Sequence, residues 1–107
     1  KPQYGSRVFD KSERHNRWLH LAGPEESDAV IHIYQDANMY TSEMDSGQKL
    51  RFDLQPGRQL YLKVMEGDVR VNGTLFAPGD AAEVEDESLD TEALSDAHLL
   101  IVEMKKS

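Results

Sequence analysis

From residue 49 to residue 76 the chain alternates apolar and polar positions with a period of two, and short turn signals cut the alternation into pieces. Residues 49–54 alternate, and Gln55-Pro56-Gly57 turns the chain. Leu60, Leu62 and Val64 then recur at every second position, which places them on one face of a strand. Glu66-Gly67-Asp68 is a tight connection, Val69 and Val71 resume the period, and Asn72-Gly73 follows. Both residues of an Asn-Gly pair tolerate positive φ, which makes it the strongest short signal for a hairpin. Leu75-Phe76-Ala77 and the corner Pro78-Gly79-Asp80 come next.

The flanks read the same way. Residues 18–22 are a short apolar stretch that Gly23-Pro24 is expected to end, before an acidic loop at 25–28. Residues 30–34 and 39–44 favour strands, separated from the central block by Asp45-Ser46-Gly47. Residues 81–85, 89–94 and 99–104 close the chain; 89–94 could make a helical turn, but its neighbours favour strand. No long amphipathic helix is written anywhere. About nine or ten short strands spaced by roughly 8–12 residues predict an all-β, antiparallel jelly-roll barrel or sandwich, which protects most strand edges. The 107 residues suffice for a single domain with one core. Residues 1–16 are polar and turn-rich, so they are expected to be a linker or N-terminal arm before a β-domain at 17–107.

Charge narrows the function. The formal net charge is −8 and unevenly spread: Lys1, Arg7, Lys11, Arg14 and Arg17 open the chain, whereas residues 73–104 contain no Lys or Arg. Asp80, Glu83, Glu85, Asp86, Glu87, Asp90, Glu92, Asp96 and Glu103 accumulate there. Such a surface repels phosphate backbones and argues against nucleic acid as a partner. It suits a solvated face, or attraction to the basic opening segment. With no cysteine, disulfides, thiolate chemistry and Cys-based zinc sites are excluded, and a cytoplasmic location is expected. No apolar run approaches the ~18–20 residues of a membrane span. The chain opens Lys1-Pro2-Gln3-Tyr4-Gly5, not with Met, and is expected to be part of a longer protein.

Candidate chemistry is sparse. His15, His20, His32 and His98 show no His-x-His or His-x-x-x-His spacing, although His15, His20 and His32 could meet in space. No Gly-x-Ser-x-Gly elbow frames a serine. Asp53 with Glu83 is a conceivable carboxylate pair. Residues 32–36 gather an imidazole, a phenol, an amide and a carboxylate, which makes His32, Tyr34 and Asp36 candidates for a pocket rim or interface. Asp36 capping a turn is the plainer alternative.

The spacing of Gly47 and Gly67 carries a more specific message. Metal-binding cupins run Gly-x5-His-x-His-x4-Glu-x6-Gly, and these two glycines stand at that distance, yet Asp53, Gln55 and Leu60 occupy the three ligand positions. In the second cupin motif a Pro-x-Gly-like corner precedes a His with two residues between, and counting from Gly79 puts Ala82 there. A ligand atom must reach a metal at about 2.0–2.2 Å, and neither Leu60 nor Ala82 has one to offer. The frame resembles a metal cupin that has lost its ligands.

Residues 30–40 and 56–73, with Leu75, the Gly79-Asp80 corner and the apolar terminal strand at 99–102, resemble pirin-like bicupins of the quercetin 2,3-dioxygenase type. Tyr4 to Asp10 is similar to the linker after the first cupin of these proteins. That resemblance implies a C-terminal cupin, with the divalent transition metal and any dioxygenase chemistry held by an N-terminal cupin. It implies no catalytic residue, no metal ligand and no cofactor in this chain, whose partner would be that N-terminal cupin. The alternative is a metal-free cupin that binds a small molecule in its interior, oriented by Asp53, Gln55 and Tyr61 pointing inward.

Overall fold

The computed structural model describes residues 14–24, 27, 29, 31–33 and 37–105. Residues 1–13, Val30, Tyr34, Gln35 and Asp36 lie outside the described residues. Ten strands follow in order: β1 (Leu19–Pro24), β2 (Ile31–Ile33), β3 (Ala37–Met44), β4 (Lys49–Phe52), β5 (Arg58–Glu66), β6 (Val69–Val71), β7 (Thr74–Phe76), β8 (Ala81–Glu85), β9 (Leu89–Ala93) and β10 (Ala97–Lys105). They form a six-stranded sheet ordered β2-β1-β3-β10-β5-β8 and a four-stranded sheet ordered β4-β9-β6-β7.

The period-two pattern decides which face is buried. Leu60, Leu62 and Val64 of β5 and Leu99 and Ile101 of β10 meet Val69 of β6 and Leu89 of β9, all with no exposed surface. Met44, Phe52, Val71, Val84 and Ala93 complete the same cluster. Burying one such aliphatic side chain stabilises the fold by roughly 1.5–3 kcal/mol, so the alternation outweighs local propensity. Residues 89–93 illustrate this. They form the strand between β4 and β6 because Leu89, Thr91 and Ala93 face the core together. The Asn72-Gly73 hairpin joins β6 to β7, with Asn72 at φ 47°.

The named strands pair antiparallel, as the alternation predicts, except that β1 and β2 run parallel, with Ala22 opposite Ile31 and Pro24 opposite Ile33. One expectation is corrected: Gly23-Pro24 does not end the first apolar stretch, which continues as β1 through both residues. Gly23 is there for want of space: a Cβ on it would lie 2.5 Å from His20 Nε2 and 2.7 Å from Asn38 Oδ1. Pro24, which lacks an N–H, lies beyond Ala22, the last β1 residue paired with β3, so it interrupts no pairing on that side.

Candidate functional site

The cupin frame survives as backbone. Gly67 takes φ 81°, and a Cβ on it would overlap the Asp96 carbonyl oxygen, so this corner admits only glycine without movement. Between Gly47 and Gly67 the chain forms β4, an exposed turn and β5. The four frame positions do not converge. Leu60 and Ala82 face the interior on adjacent strands, where Leu60 pairs with Val84 and Leu62 with Ala82. Asp53 follows β4 with its side chain 71% exposed and accepts a 2.8 Å ion pair from Arg51 Nε. Gln55 is exposed, and its carbonyl accepts from the Arg58 amide in the turn. Two donors face solvent and two positions are hydrocarbon, so the residues present do not fit a metal.

The expected inward Tyr61 is also corrected. It alternates with Leu60 and Leu62, so it lies on the outer face of the six-stranded sheet, 43% exposed. There its hydroxyl bonds to Glu83, and that carboxylate, assisted by Glu85, pushes the phenol above its ordinary range. Glu83 therefore sits with Tyr61 and not with Asp53. His32 is half-buried on β2. Tyr34 and Asp36 lie outside the described residues.

What the interior does hold is a polar chain across four strands. Glu103 on β10 is 7% exposed, and Arg58 of β5 grips it through Nε to Oε2 at 2.7 Å and Nη2 to Oε1 at 2.8 Å. Asn38 Nδ2 on β3 donates to Glu103 Oε1 at 2.9 Å. Its other end, Oδ1, lies 2.7 Å from His20 Nε2 on β1. A carboxylate only accepts, which fixes the Asn38 amide, and Asn38 Oδ1 in turn requires His20 Nε2 to be the protonated nitrogen. That nitrogen therefore has no lone pair for a metal. His20 stacks on Tyr40 at 4.5 Å between centroids, Tyr40 meets Phe52 edge-on, and Phe52 meets Trp18 edge-on. The arrangement is a clamped strut over an aromatic cluster. Nothing in it is a poised base or nucleophile.

The remaining histidines lie at the other end of the six-stranded sheet, around a cleft of about 460 Å³ lined by His15, Glu43, Asp45, Glu66, Asp96 and His98. His15 Nε2 is 2.9 Å from Asp45 Oδ2, and this bond, with one from Asn16, holds the Asp45 carboxyl below its ordinary range. His98 Nε2 meets Thr41 Oγ1 at 2.9 Å, and the Thr41 hydroxyl donates a hydrogen bond to the Leu99 carbonyl at 3.0 Å. His15 and His20 are thus separately engaged, and the described residues hold no group of three His, Cys, Asp or Glu disposed around a common ion position.

A sandwich of unequal sheets carrying the Gly47–Gly67 frame is the architecture of cupins. The Escherichia coli pirin YhhW has this fold with a TM-score of 0.83 at 20% identity, matching 94% of this chain and 42% of its own length. A nickel(II) complex of the same protein matches with a TM-score of 0.79. Residues 20–104 match the family described as the quercetinase C-terminal cupin domain, and the chain belongs to that pirin-like family. A Pseudomonas aeruginosa protein provisionally named a quercetin 2,3-dioxygenase is 36% identical over 106 residues, covering 97% of this chain and 46% of that protein. A pirin-like protein of Caulobacter vibrioides is 33% identical over 104 residues, covering 95% and 45%. The chain therefore spans about half the length of the curated relatives it matches.

Proposed function

We propose that this chain is the non-catalytic, metal-free C-terminal cupin of a pirin-like, quercetinase-type cytoplasmic protein. It packs against and supports an N-terminal cupin that holds the divalent transition metal and performs any dioxygenase chemistry. The observation that carries this reading is Leu60. It fills the frame's carboxylate position with a fully buried hydrocarbon side chain packed into the core. Oxygen chemistry on a flavonol needs a redox-active centre, and three donors among the described residues are engaged otherwise: Glu103 with Arg58, Asp53 with Arg51, His20 with Asn38. Asp53, Gln55 and Tyr61, offered above for an interior small-molecule pocket, are all exposed, which weakens that alternative.

Elemental analysis tests the proposal. The chain, incubated with iron(II), nickel(II) or zinc(II) and then freed of loose ions by gel filtration, should retain far less than one metal per molecule. Retention near one equivalent would overturn it.

A further inference from the structure

Asn72-Gly73 is the one place in the sequence where Asn precedes Gly. Asparagine is a thermally labile residue. It is most so before glycine, which has no side chain to hinder attack of its backbone nitrogen on the neighbouring amide carbon. The fold sets the pair in the tight turn between β6 and β7, both residues at positive φ, 47° and 85°. Asn72 is exposed, and with Glu87 it lines a cleft of about 470 Å³ between the edge strands β7 and β8, so water reaches it. Its side-chain amide is nevertheless fully engaged. Nδ2 donates to Glu87 Oε1 at 3.0 Å and to the Ser88 carbonyl at 3.3 Å, and Oδ1 accepts from the Asp90 amide at 2.7 Å. The Asn72 backbone amide also donates to the Asp90 carbonyl at 2.8 Å. One side chain thereby ties the hairpin to the connection 86–88 and to the start of β9.

We propose that Asn72-Gly73 is a latent deamidation site: the connection 86–88 keeps it closed while the fold is intact, and its conversion unfastens that connection. In the reaction, hydroxide takes the proton of the Gly73 amide and the nitrogen bonds to Asn72 Cγ. The Cγ–Nδ2 bond breaks, and ammonia leaves with a proton returned by water. Water then adds to one carbonyl of the resulting five-membered imide and cleaves one C–N bond, leaving aspartate or isoaspartate at 72. No oxidant or reductant is involved. Ring closure requires Cγ to turn toward the Gly73 nitrogen, which the three bonds across to 87–90 prevent. The reaction therefore proceeds only from molecules in which this connection has opened locally. Its product cannot close again in the same way. A carboxylate has no hydrogen to donate to Glu87 or Ser88, and its charge arrives beside that of Glu87. Residues 73–104 supply no Lys or Arg to offset it. Isoaspartate adds a methylene to the backbone of a two-residue turn and disturbs the hairpin besides.

Ageing the full-length protein in mildly alkaline buffer, followed by peptide mass spectrometry, tests this. Deamidation at Asn72 should run several-fold more slowly in the folded protein than in the same protein held unfolded in guanidinium chloride. Equal rates would overturn the proposal. Glu87→Ala, at an exposed position, should speed the reaction several-fold while circular dichroism shows the protein folded. Glu87→Gln removes the same charge but keeps an acceptor, so it should stay near the unsubstituted rate. No acceleration in Glu87→Ala, or equal acceleration in both variants, would show that the hydrogen bond is not the guard. Asn72→Asp supplies one product directly. Cleavage after Glu87 by a glutamate-specific protease should rise several-fold in it, with cleavage after Glu66, at the far end of β5, unchanged. Cleavage after Glu87 at the unsubstituted rate would refute the unfastening. If Asn72→Asp does not fold, the deamidated fraction of the aged protein, separated by anion exchange, takes its place in the digestion.

Discussion

Leu60 and Glu103 face one another across β5 and β10, both directed into the sandwich. Hydrocarbon stands where the frame would place a ligand carboxylate. The carboxylate that is buried, one strand away, is held by the Arg58 fork and by Asn38. The interior has kept a buried charge and used it to tie strands together.

That relationship makes Arg58 and Glu103 strongly coupled. Removing one partner leaves the other charge buried and uncompensated, at a cost of about 3–5 kcal/mol, whereas replacing both with apolar residues of similar volume is often neutral. Arg58→Met alone and Glu103→Leu alone should each lower the urea midpoint markedly. The double substitution should recover most of the loss. Additive losses in the double-substituted chain would contradict the account.

Restoring the absent ligand should not restore a site. Leu60→Glu introduces a carboxylate into a fully buried aliphatic position that has no cation prepared for it, and an unpaired buried charge is expensive unless it takes up a proton. Asp53 and Gln55 are exposed and Ala82 has no donor atom, so one new oxygen has no companions. The expected result is a loss of several kcal/mol in denaturant unfolding without stoichiometric iron or nickel uptake. Metal binding by this variant would mean that the exposed turn at 53–57 can close inward.

Most of the fold was legible because alternation and turn chemistry agree: the inward set Leu60, Leu62, Val64, Val69 and Val71 and the hairpin at Asn72 stand where the period placed them. Gly23-Pro24 has the composition of a turn, so composition alone ends the first strand too early; in the fold Gly23 makes room for His20 and Asn38. The polar strut is written in the chain only as parity. Arg58 stands two before Leu60 and Glu103 two after Ile101, so each was a charge on an inward position that required a partner. Which partner, and that Asn38 and His20 extend the chain, depends on pairing between strands distant in sequence. The outward Tyr61 followed from the same parity.

The two frame glycines should differ in their tolerance of substitution. Both have positive φ, 90° at Gly47 and 81° at Gly67, so alanine is strained at either, by about 1–3 kcal/mol. At Gly47 nothing lies within 4 Å of the added Cβ. At Gly67 the Cβ would collide with backbone at Asp96 and Ala97, which cannot swing aside as a side-chain tip can. Gly67→Ala should therefore destabilise clearly more than Gly47→Ala in thermal unfolding. Equal losses would mean that the loop before β10 shifts freely.

Tyr61 and Glu83 set an alkaline signature on the outer sheet face. The phenol donates to the Glu83 carboxylate, and the negative charges of Glu83 and then Glu85 oppose its ionisation, so Tyr61 in the folded chain titrates above the ordinary value of about 10. A folded-state pKa raised above the unfolded one means a stabilising contribution that is complete below the unfolded value. It is lost as pH rises through the folded one. Phenolate absorbance of the chain, taken as the difference from Tyr61→Phe to isolate one of four tyrosines, should show this upward shift. Glu83→Gln should bring the titration down toward the ordinary range, and Glu85→Gln should do so by less, because Glu85 acts only through its charge. A larger effect from Glu85→Gln than from Glu83→Gln would show that the hydrogen bond to Glu83 is not what holds the proton on Tyr61.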